Sequence, residues 1–126
     1  MDCDAGGAAM FTLNASLAVY LHRDPIDFRQ GINGLSALVE HALKLDPFGC
    51  ACFAFSNKRR DRIKLLLWDR NGFWLCTKRL EAERFAWPDH GDSVISLTVQ
   101  QLHWLLEGFD LAAMRGHRPV QYRHAG

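Results

Sequence analysis

The sequence lacks several features that would assign it to a class of protein at once. No apolar run approaches the ~18 residues of a membrane-spanning helix. The N-terminal stretch 1–7 is acidic and rich in Gly and Ala, without the basic start and apolar core of a secretory signal. The four cysteines are too few for a dense disulfide framework. These absences favour a soluble, cytoplasmic protein.

Motifs that carry chemistry are also missing. Cys50 and Cys52 share one face of a predicted strand, but no second Cys or His pair follows at the spacing of a zinc site, so we interpret them as buried thiols. Asp61 and Asp69 lie eight residues apart along one strand, about 26 Å, too far to hold a two-metal centre. The segment 31–34 has two glycines but no phosphate-binding pattern. We therefore predict no catalytic residues, no metal, no cofactor and no enzymatic activity.

What is present is the composition of one globular domain. The chain has 126 residues, of which 48% are hydrophobic and 23% charged, and a chain of this size can bury one core without staples. Residues 1–15 have no sustained periodicity and are predicted to be a flexible extension. Residues 16–110 are predicted to form a single domain, followed by a flexible tail over 111–126.

The periodicity predicts an α+β domain. A first strand is expected over 16–21, and a helix is expected after Asp27 and Gln30, a pair spaced like a capping box. Strands over 50–55, 63–68 and 73–78 are expected to form an antiparallel meander, since Asn71-Gly72 is a strong hairpin signal. A short strand over 94–97 precedes a second helix, which Thr98 is expected to cap and Gly108 to end. The prediction is a short antiparallel sheet packed on a core helix, with the second helix near the C-terminus.

The apolar positions of these elements define a predicted core. It consists of Leu35, Leu38, Val39, Leu43, Phe53, Phe55, Ile63, Leu65, Leu102 and Leu105. Gly31 and Gly34 fall in the first turns of the first helix, where each costs ~1 kcal/mol relative to Ala. Close packing of the helix on a strand is the favoured reason for them, and approach of a phosphate or partner is the alternative.

Positive charge is concentrated in one segment. Residues 58–79 hold eight Lys and Arg against two Asp, a charge of +6, so the rest of this +1 chain carries −5. In a meander the third strand ends where the first loop begins. We therefore expect six cations to gather at one end of the sheet, which we call the basic sheet end. It consists of Lys58, Arg59, Arg60, Arg62, Lys78 and Arg79.

Three interpretations of this charge stand side by side. A solubilising hairpin tip, a nucleic-acid contact and a contact with an acidic protein would all place cations there. Lys64 lies in the same segment and is included among the candidate binding residues. Trp68, Trp74 and Trp87 are candidate aromatic contacts that could stack on bases or anchor a partner, although aromatics more often fill the core of a small sheet.

The order of these motifs resembles a known family over about residues 16–110. The motifs are Pro25-Ile26-Asp27-Phe28-Arg29-Gln30-Gly31-Ile32-Asn33-Gly34-Leu35, Asp46-Pro47-Phe48, Arg59-Arg60-Asp61-Arg62-Ile63-Lys64-Leu65-Leu66, Trp68-Asp69, Lys78-Arg79-Leu80-Glu81, Arg84-Phe85 and Trp87-Pro88. The closing helix adds Leu102, Trp104, Leu105, Leu106, Glu107 and Gly108. The chain is thereby similar to the TnpB accessory proteins, the second-open-reading-frame proteins of the bacterial insertion-sequence family sixty-six.

The resemblance implies a small protein encoded beside a transposase and needed for transposition, without catalytic residues of its own. The implied partner is the transposase of the same element, in the bacterial cytoplasm, with the protein on the nucleoid if it binds DNA. Our hypothesis is that the basic sheet end contacts nucleic acid. The alternative is a protein–protein adaptor that docks the transposase through its Trp and Phe side chains without binding DNA.

Overall fold

A computed structural model describes residues 17–111 of the chain as a five-stranded sheet with a helix on each face. The predicted extension over 1–15 and nearly all of the predicted tail over 111–126 lie outside the described residues. The strands are β1 (Ala18–His22), β2 (Ala51–Ser56), β3 (Arg62–Asp69), β4 (Gly72–Arg79) and β5 (Val94–Leu97). The helices are α1 (Ile32–Ala37), which continues into a π-helical segment (Leu38–Ala42), and α2 (Val99–Leu106).

The strand order is β4-β3-β2-β1-β5. The predicted meander of β2, β3 and β4 is confirmed, with Phe53 opposite Leu66 and Leu66 opposite Leu75. β1 runs parallel to β2, because α1 carries the chain back across the sheet, and it pairs antiparallel with β5. The α+β class is confirmed, and the sheet is mixed rather than wholly antiparallel.

Both faces of the sheet are covered, so the protein has two cores. On one face Phe53, Phe55 and Leu66 pack with Leu35 and Val39. On the other face α2 and the connection between β4 and β5 cover a second apolar cluster, which includes Phe85, Trp87 and Leu102. Every residue of β2 is buried, since this central strand contributes side chains to both cores.

Most of the predicted core is confirmed. Leu35, Val39, Phe53, Phe55, Ile63, Leu65, Leu102 and Leu105 are all buried. Leu38 and Leu43 are only partly buried at the edge of the first core. In the π-helical segment it is Val39 that faces the core, so its neighbour Leu38 lies at the edge of the buried face, and Leu43 follows the end of the segment.

The start of α1 differs from the prediction. Asp27 does not cap it: its Oδ1 accepts the backbone N–H of Arg29 at 3.0 Å, and its carboxylate also pairs with the Arg29 guanidinium. Gly31 is the N-cap residue, and α1 has no side-chain cap. The Nζ of Lys64 binds the carbonyl oxygens of Phe28 and Gln30, both at 2.7 Å, which holds this segment outside the helix.

The ends of α2 follow from its sequence. Thr98 and Gln101 form a capping box, in which each side chain bonds to the other's backbone N–H. Gly108 adopts a φ of 97° after the last turn, and the Phe109 N–H donates to the Trp104 carbonyl at 3.0 Å. This is the Schellman arrangement that a glycine at this position permits. Within residues 17–111, neither helix is long and apolar enough to cross a membrane.

Candidate nucleic-acid interface

A buried asparagine organises the turn between β2 and β3. Asn57 Oδ1 accepts the backbone N–H groups of Asp61 and Arg62 at 3.1 and 3.0 Å, and Asn57 Nδ2 donates to Asp61 Oδ1 at 2.6 Å. The hydrogen bond from Asn57 lowers the pKa of the Asp61 carboxyl, and the charges of Arg62 and Arg59 lower it further. Because these bonds fix the backbone of the turn, its side chains project from a preformed loop.

The basic residues of this turn meet those at the end of β4, as the meander predicts. Arg62 is paired with Arg79 across the two strands, and Ile63 is paired with Lys78. The Leu80 N–H extends the contact by donating to the Asp61 carbonyl at 2.8 Å. Arg62 and Arg79 therefore lie opposite each other on one face of the sheet, an arrangement of like charges that is unfavourable in the absence of a counter-charge.

Arg60 has a structural role within this group. Its guanidinium lies 5.7 Å from the Trp87 ring centroid, and its Nη2 donates to the Arg23 carbonyl at 3.2 Å. Burial lowers the pKa of Arg60, while Asp24 and Asp89 oppose that effect. Its own carbonyl accepts the Phe85 N–H at 2.7 Å. Arg60 thus ties the loop to the connection between β4 and β5 and presents little of its charge to solvent.

Three further predicted cations already bind groups of the chain. Lys64 Nζ holds the segment before α1 and lies 4.4 Å from the Phe28 ring centroid. Lys78 Nζ donates to the Leu106 carbonyl at the end of α2, at 2.8 Å. Arg79 pairs with Glu81 at 3.1 Å, in an exposed ion pair that a phosphate could replace at low cost. Lys58, Arg59 and Arg62 are exposed and form the outermost part of the basic sheet end.

Of the three candidate aromatic contacts, Trp87 is the one that lies against a cation of the basic sheet end, Arg60. Trp87 is buried beneath Arg60, and its Nε1 donates to the His22 carbonyl at 3.1 Å. Trp74 packs against the second core and donates to Asp69 Oδ2 at 3.0 Å. Trp68 lies near the other end of the hairpin, about 20 Å from Arg62 at ~3.3 Å per residue. Base stacking by these side chains stays a prediction, and the distance of Trp68 from Arg62 means that it could not stack on a base held beside that cation.

Trp68 belongs instead to an exposed aromatic cluster. Its ring lies 4.9 Å from that of Phe48 and 5.0 Å from that of Phe73, both in edge-to-face geometry. Phe48 is 55% exposed, which is high for a large apolar side chain. We call Phe48, Trp68 and Phe73 the aromatic cluster. It occupies the face of the sheet that α1 covers, at the end remote from the turn between β2 and β3, residues 57–62, which we call the basic loop.

Sequence reasoning missed two residues that define these surfaces. Asn57 is absent from the predicted site, although an asparagine before a turn is a recognised signal for side-chain bonding to the backbone. Phe48 appears in the sequence only within the motif Asp46-Pro47-Phe48, and no local pattern indicates that it meets Trp68. Cys50 was expected to be buried and is exposed, because it precedes β2, whereas Cys52 is buried as expected.

One protein family and two bacterial proteins are similar to this chain over most of its length. The family model described as IS66 Orf2 like protein matches residues 17–116. Protein y4jC of Sinorhizobium fredii is 36% identical over 105 residues, covering 83% of this chain and 89% of that protein. Protein y4hO of the same organism is 32% identical over 101 residues, covering 80% of this chain and 88% of that protein. Both relatives are described as uncharacterized, and no solved structure matches the chain.

The family match spans all the described strands and helices, the Asn57 turn and both surfaces built on the hairpin. The two relatives also cover most of their own length, so the likeness extends over the whole domain rather than one motif. The chain belongs to the family of IS66 Orf2 like proteins, the insertion-sequence accessory proteins.

Proposed function

We propose that this protein assists the transposase of its own element by contacting DNA phosphates through Lys58, Arg59 and Arg62. The observation that carries the proposal is the preformed Asn57 loop, which holds these exposed cations at one end of the sheet beside Arg79. Family membership supports an accessory role in transposition. The protein would act in the bacterial cytoplasm, at the nucleoid when bound to DNA, and would not catalyse the reaction itself.

Pre-organisation and charge both favour phosphate as the ligand. The loop backbone is fixed by its own hydrogen bonds, so binding costs little ordering entropy. A phosphate between Arg62 and Arg79 would replace the exposed Glu81 carboxylate as the counter-charge of Arg79 and would neutralise Arg62 at the same time. No side chain here is assigned to a base edge, so affinity is expected to be nearly independent of DNA sequence.

A titration of the purified full-length protein with terminal inverted-repeat DNA at two salt concentrations tests the proposal. Three phosphate contacts give a slope of log K against log salt of about −2.7. Replacing Lys58, Arg59 and Arg62 together by Ala is expected to remove most of that slope and to weaken binding to all duplexes alike. Arg70→Ala is the matched control, since Arg70 is an exposed cation at the opposite end of the same hairpin. Equal affinities of the triple variant and the wild type would reject the proposal.

The aromatic cluster supports a second candidate function, an adaptor that docks the transposase without binding DNA. Phe48 projects over Trp68 and Phe73, and exposed aromatics of this kind anchor protein interfaces. In the adaptor function, Phe48→Ser abolishes co-purification with the transposase, and the triple cation variant has no effect. If the protein instead binds DNA as proposed, the triple cation variant loses DNA affinity and Phe48→Ser keeps it. The two surfaces lie at opposite ends of β3, so each variant tests one of them alone.

A further inference from the structure

A third surface lies along the free edge of β5, and it adjoins the basic loop through Trp87, whose ring centroid lies 5.7 Å from the Arg60 guanidinium. In the sheet order β4-β3-β2-β1-β5, β5 is an edge strand that pairs with β1 on one side. A groove of about 760 Å³ runs beside it. Its described lining includes all four residues of β5, together with Trp87, Pro88 and Leu111 on the apolar side.

The backbone of β5 presents hydrogen-bonding groups to this groove. The Arg23 N–H donates to the Ser93 carbonyl at 2.9 Å, which marks residue 93 as one that bonds toward β1. Bonding alternates along an antiparallel pair, so Ile95 and Leu97 also bond toward β1. The N–H and C=O groups of Val94 and Ser96 therefore point away from β1, toward the outer side of the strand. Such an edge is a template for an added strand.

The described lining of the groove is acidic, and two guanidinium groups adjoin it: Arg23 donates to the Gly91 carbonyl, and Arg60 interacts electrostatically with Asp89. Asp89, Asp92 and Asp110 line it, and no Lys or Arg is among its described lining residues. His90 also lines it, with its ring hydrogen-bonded to the Asp89 carboxylate at 2.6 Å. An extended ligand that alternates apolar and basic side chains would place its apolar set against the partly exposed Pro88 and Ile95 and its basic set near the Asp92 carboxylate.

We propose that the β5 groove binds an extended, basic peptide segment of a partner protein by strand addition. The outward backbone groups of Val94 and Ser96 supply the hydrogen bonds, the apolar lining supplies contact area, and the carboxylates select for Lys and Arg. This inference does not depend on the proposed function, because the groove shares no residue with the basic sheet end or with the aromatic cluster.

Fluorescence anisotropy of two labelled peptides against the full-length protein tests this inference. One peptide alternates valine and lysine, and the other alternates valine and glutamate at the same length. The basic peptide is expected to bind and the acidic one to fail. Asp92→Asn is expected to weaken binding of the basic peptide. Glu83 is an exposed carboxylate outside the groove, so Glu83→Gln is expected to leave that binding unchanged. Equal binding of the two peptides would overturn the proposal.

Proline substitution separates strand addition from simple charge attraction. Ser96→Pro removes an outward N–H of β5 without removing a bond to β1. It is expected to lower the affinity for the basic peptide by about tenfold. Thr77→Pro is the matched control, because Thr77 occupies an equivalent outward, exposed position on β4, the opposite edge. Equal affinities of the Ser96→Pro and Thr77→Pro proteins would contradict strand addition at β5.

Two further measurements fix the occupant and the site. Residues 112–126 contain three Arg and no acidic residue, so the chain's own C-terminal sequence is a rival ligand of the same chemistry. If removing these residues strengthens binding of the added peptide, the groove serves this chain in cis and the proposed partner is wrong. The triple cation variant of the basic loop is expected to bind the peptide normally. Loss of peptide binding in that variant would place the peptide at the basic loop and overturn the proposal that it binds in the β5 groove.

Discussion

Single side chains hold the basic loop in place: Asn57 fixes its backbone, and Arg60 ties it to the rest of the fold. Its guanidinium lies over Trp87 and bonds the Arg23 carbonyl, so truncation removes a cation–π contact and a hydrogen bond together. Arg60→Ala is expected to lower the free energy of unfolding by about 1–2 kcal/mol in urea titrations. Arg59→Ala, one residue away and exposed, is expected to stay within about 0.5 kcal/mol of the wild type. Equal losses for the two variants would show that the Trp87 contact contributes nothing.

The Asp27 carboxyl is expected to make the stability of the protein depend on pH in the acidic range. The hydrogen bond and charge of Arg29 lower the pKa of this carboxyl from 3.8 to about 2. A carboxyl with a depressed pKa in the folded state contributes stability above its unfolded pKa, and that contribution is lost as the pH falls toward the folded value. We therefore expect Asp27→Asn to have a lower melting temperature than the wild type at pH 6, and the difference to shrink between pH 4 and pH 2.

Melting curves of both proteins across that range check the prediction, with Glu83→Gln as an exposed carboxylate control. A difference that stays constant with pH would mean that Asp27 acts only through its shape and its neutral hydrogen bonds.

At the scale of elements, α1 contains a glycine, Gly34, that lowers its stability without a packing reason. A Cβ added at Gly34 would meet Gln30 Oε1 at 3.1 Å, the end of a flexible side chain, and one added at Gly31 would meet nothing within 4 Å. Close packing of the helix on a strand, the favoured explanation for these glycines, is therefore wrong. Gly34→Ala is expected to raise the free energy of unfolding by about 0.5–1 kcal/mol, because alanine favours the helix. Chemical denaturation measures the change, and a loss of stability would indicate that Gln30 cannot move aside.

The capping box at the N-terminus of α2 stabilises the protein, so a substitution there is expected to lower the free energy of unfolding. Thr98 accepts the Gln101 N–H at 3.0 Å, and Gln101 returns a bond to the Thr98 N–H at 2.9 Å. Thr98→Ala removes the hydroxyl oxygen that accepts the Gln101 N–H, while the Gln101 side chain can still accept the N–H of residue 98, and the change is expected to cost about 1 kcal/mol. Thr98→Ser keeps the oxygen and is expected to recover most of that loss. If the serine variant is as unstable as the alanine variant, the methyl group rather than the cap supports α2.

These two helices show where sequence reasoning succeeds. The α2 cap and its glycine stop are local signals, and both are confirmed because nothing distant competes with them. The start of α1 was predicted wrongly from an equally local pattern, since Lys64 reaches across from β3 to bind the Phe28 and Gln30 carbonyls. The meeting of Phe48 with Trp68 is another contact between distant segments, and no spacing in the sequence encodes it.

The hairpin shows a smaller departure of the same kind. The strands on either side of Asn71-Gly72 were predicted correctly, but the residue with positive φ is Arg70, at 55°. Gly72 is instead the first residue of β4, opposite Asp69. The convergence of Arg62 and Arg79 was predictable because it follows from strand direction alone. The partners of Arg60 and Lys78 were not, because they lie on segments whose position depends on the whole fold.

For the whole molecule, the two cores are coupled through β2. This strand is central in the sheet, and its alternate side chains are buried in opposite cores. We expect its amide protons to exchange with solvent only in global unfolding, more slowly than those of the edge strand β5. Native-state hydrogen exchange measures this order. Faster exchange in β2 than in β5 would mean that the two cores can open separately.

The pairing of β1 with β5 also has a consequence for synthesis of the protein on the ribosome. Val19 pairs with Leu97, so the first strand of the described chain is enclosed on its outer side only by the last one. A contact of such long sequence separation raises the contact order, which slows folding. During translation, β1 can pair with β2 once residue 54 has emerged, but its other edge stays open until residue 97 is available. Completion of the sheet must therefore wait until nearly the whole domain has left the ribosome, and a product truncated before β5 would expose β1 to aggregation.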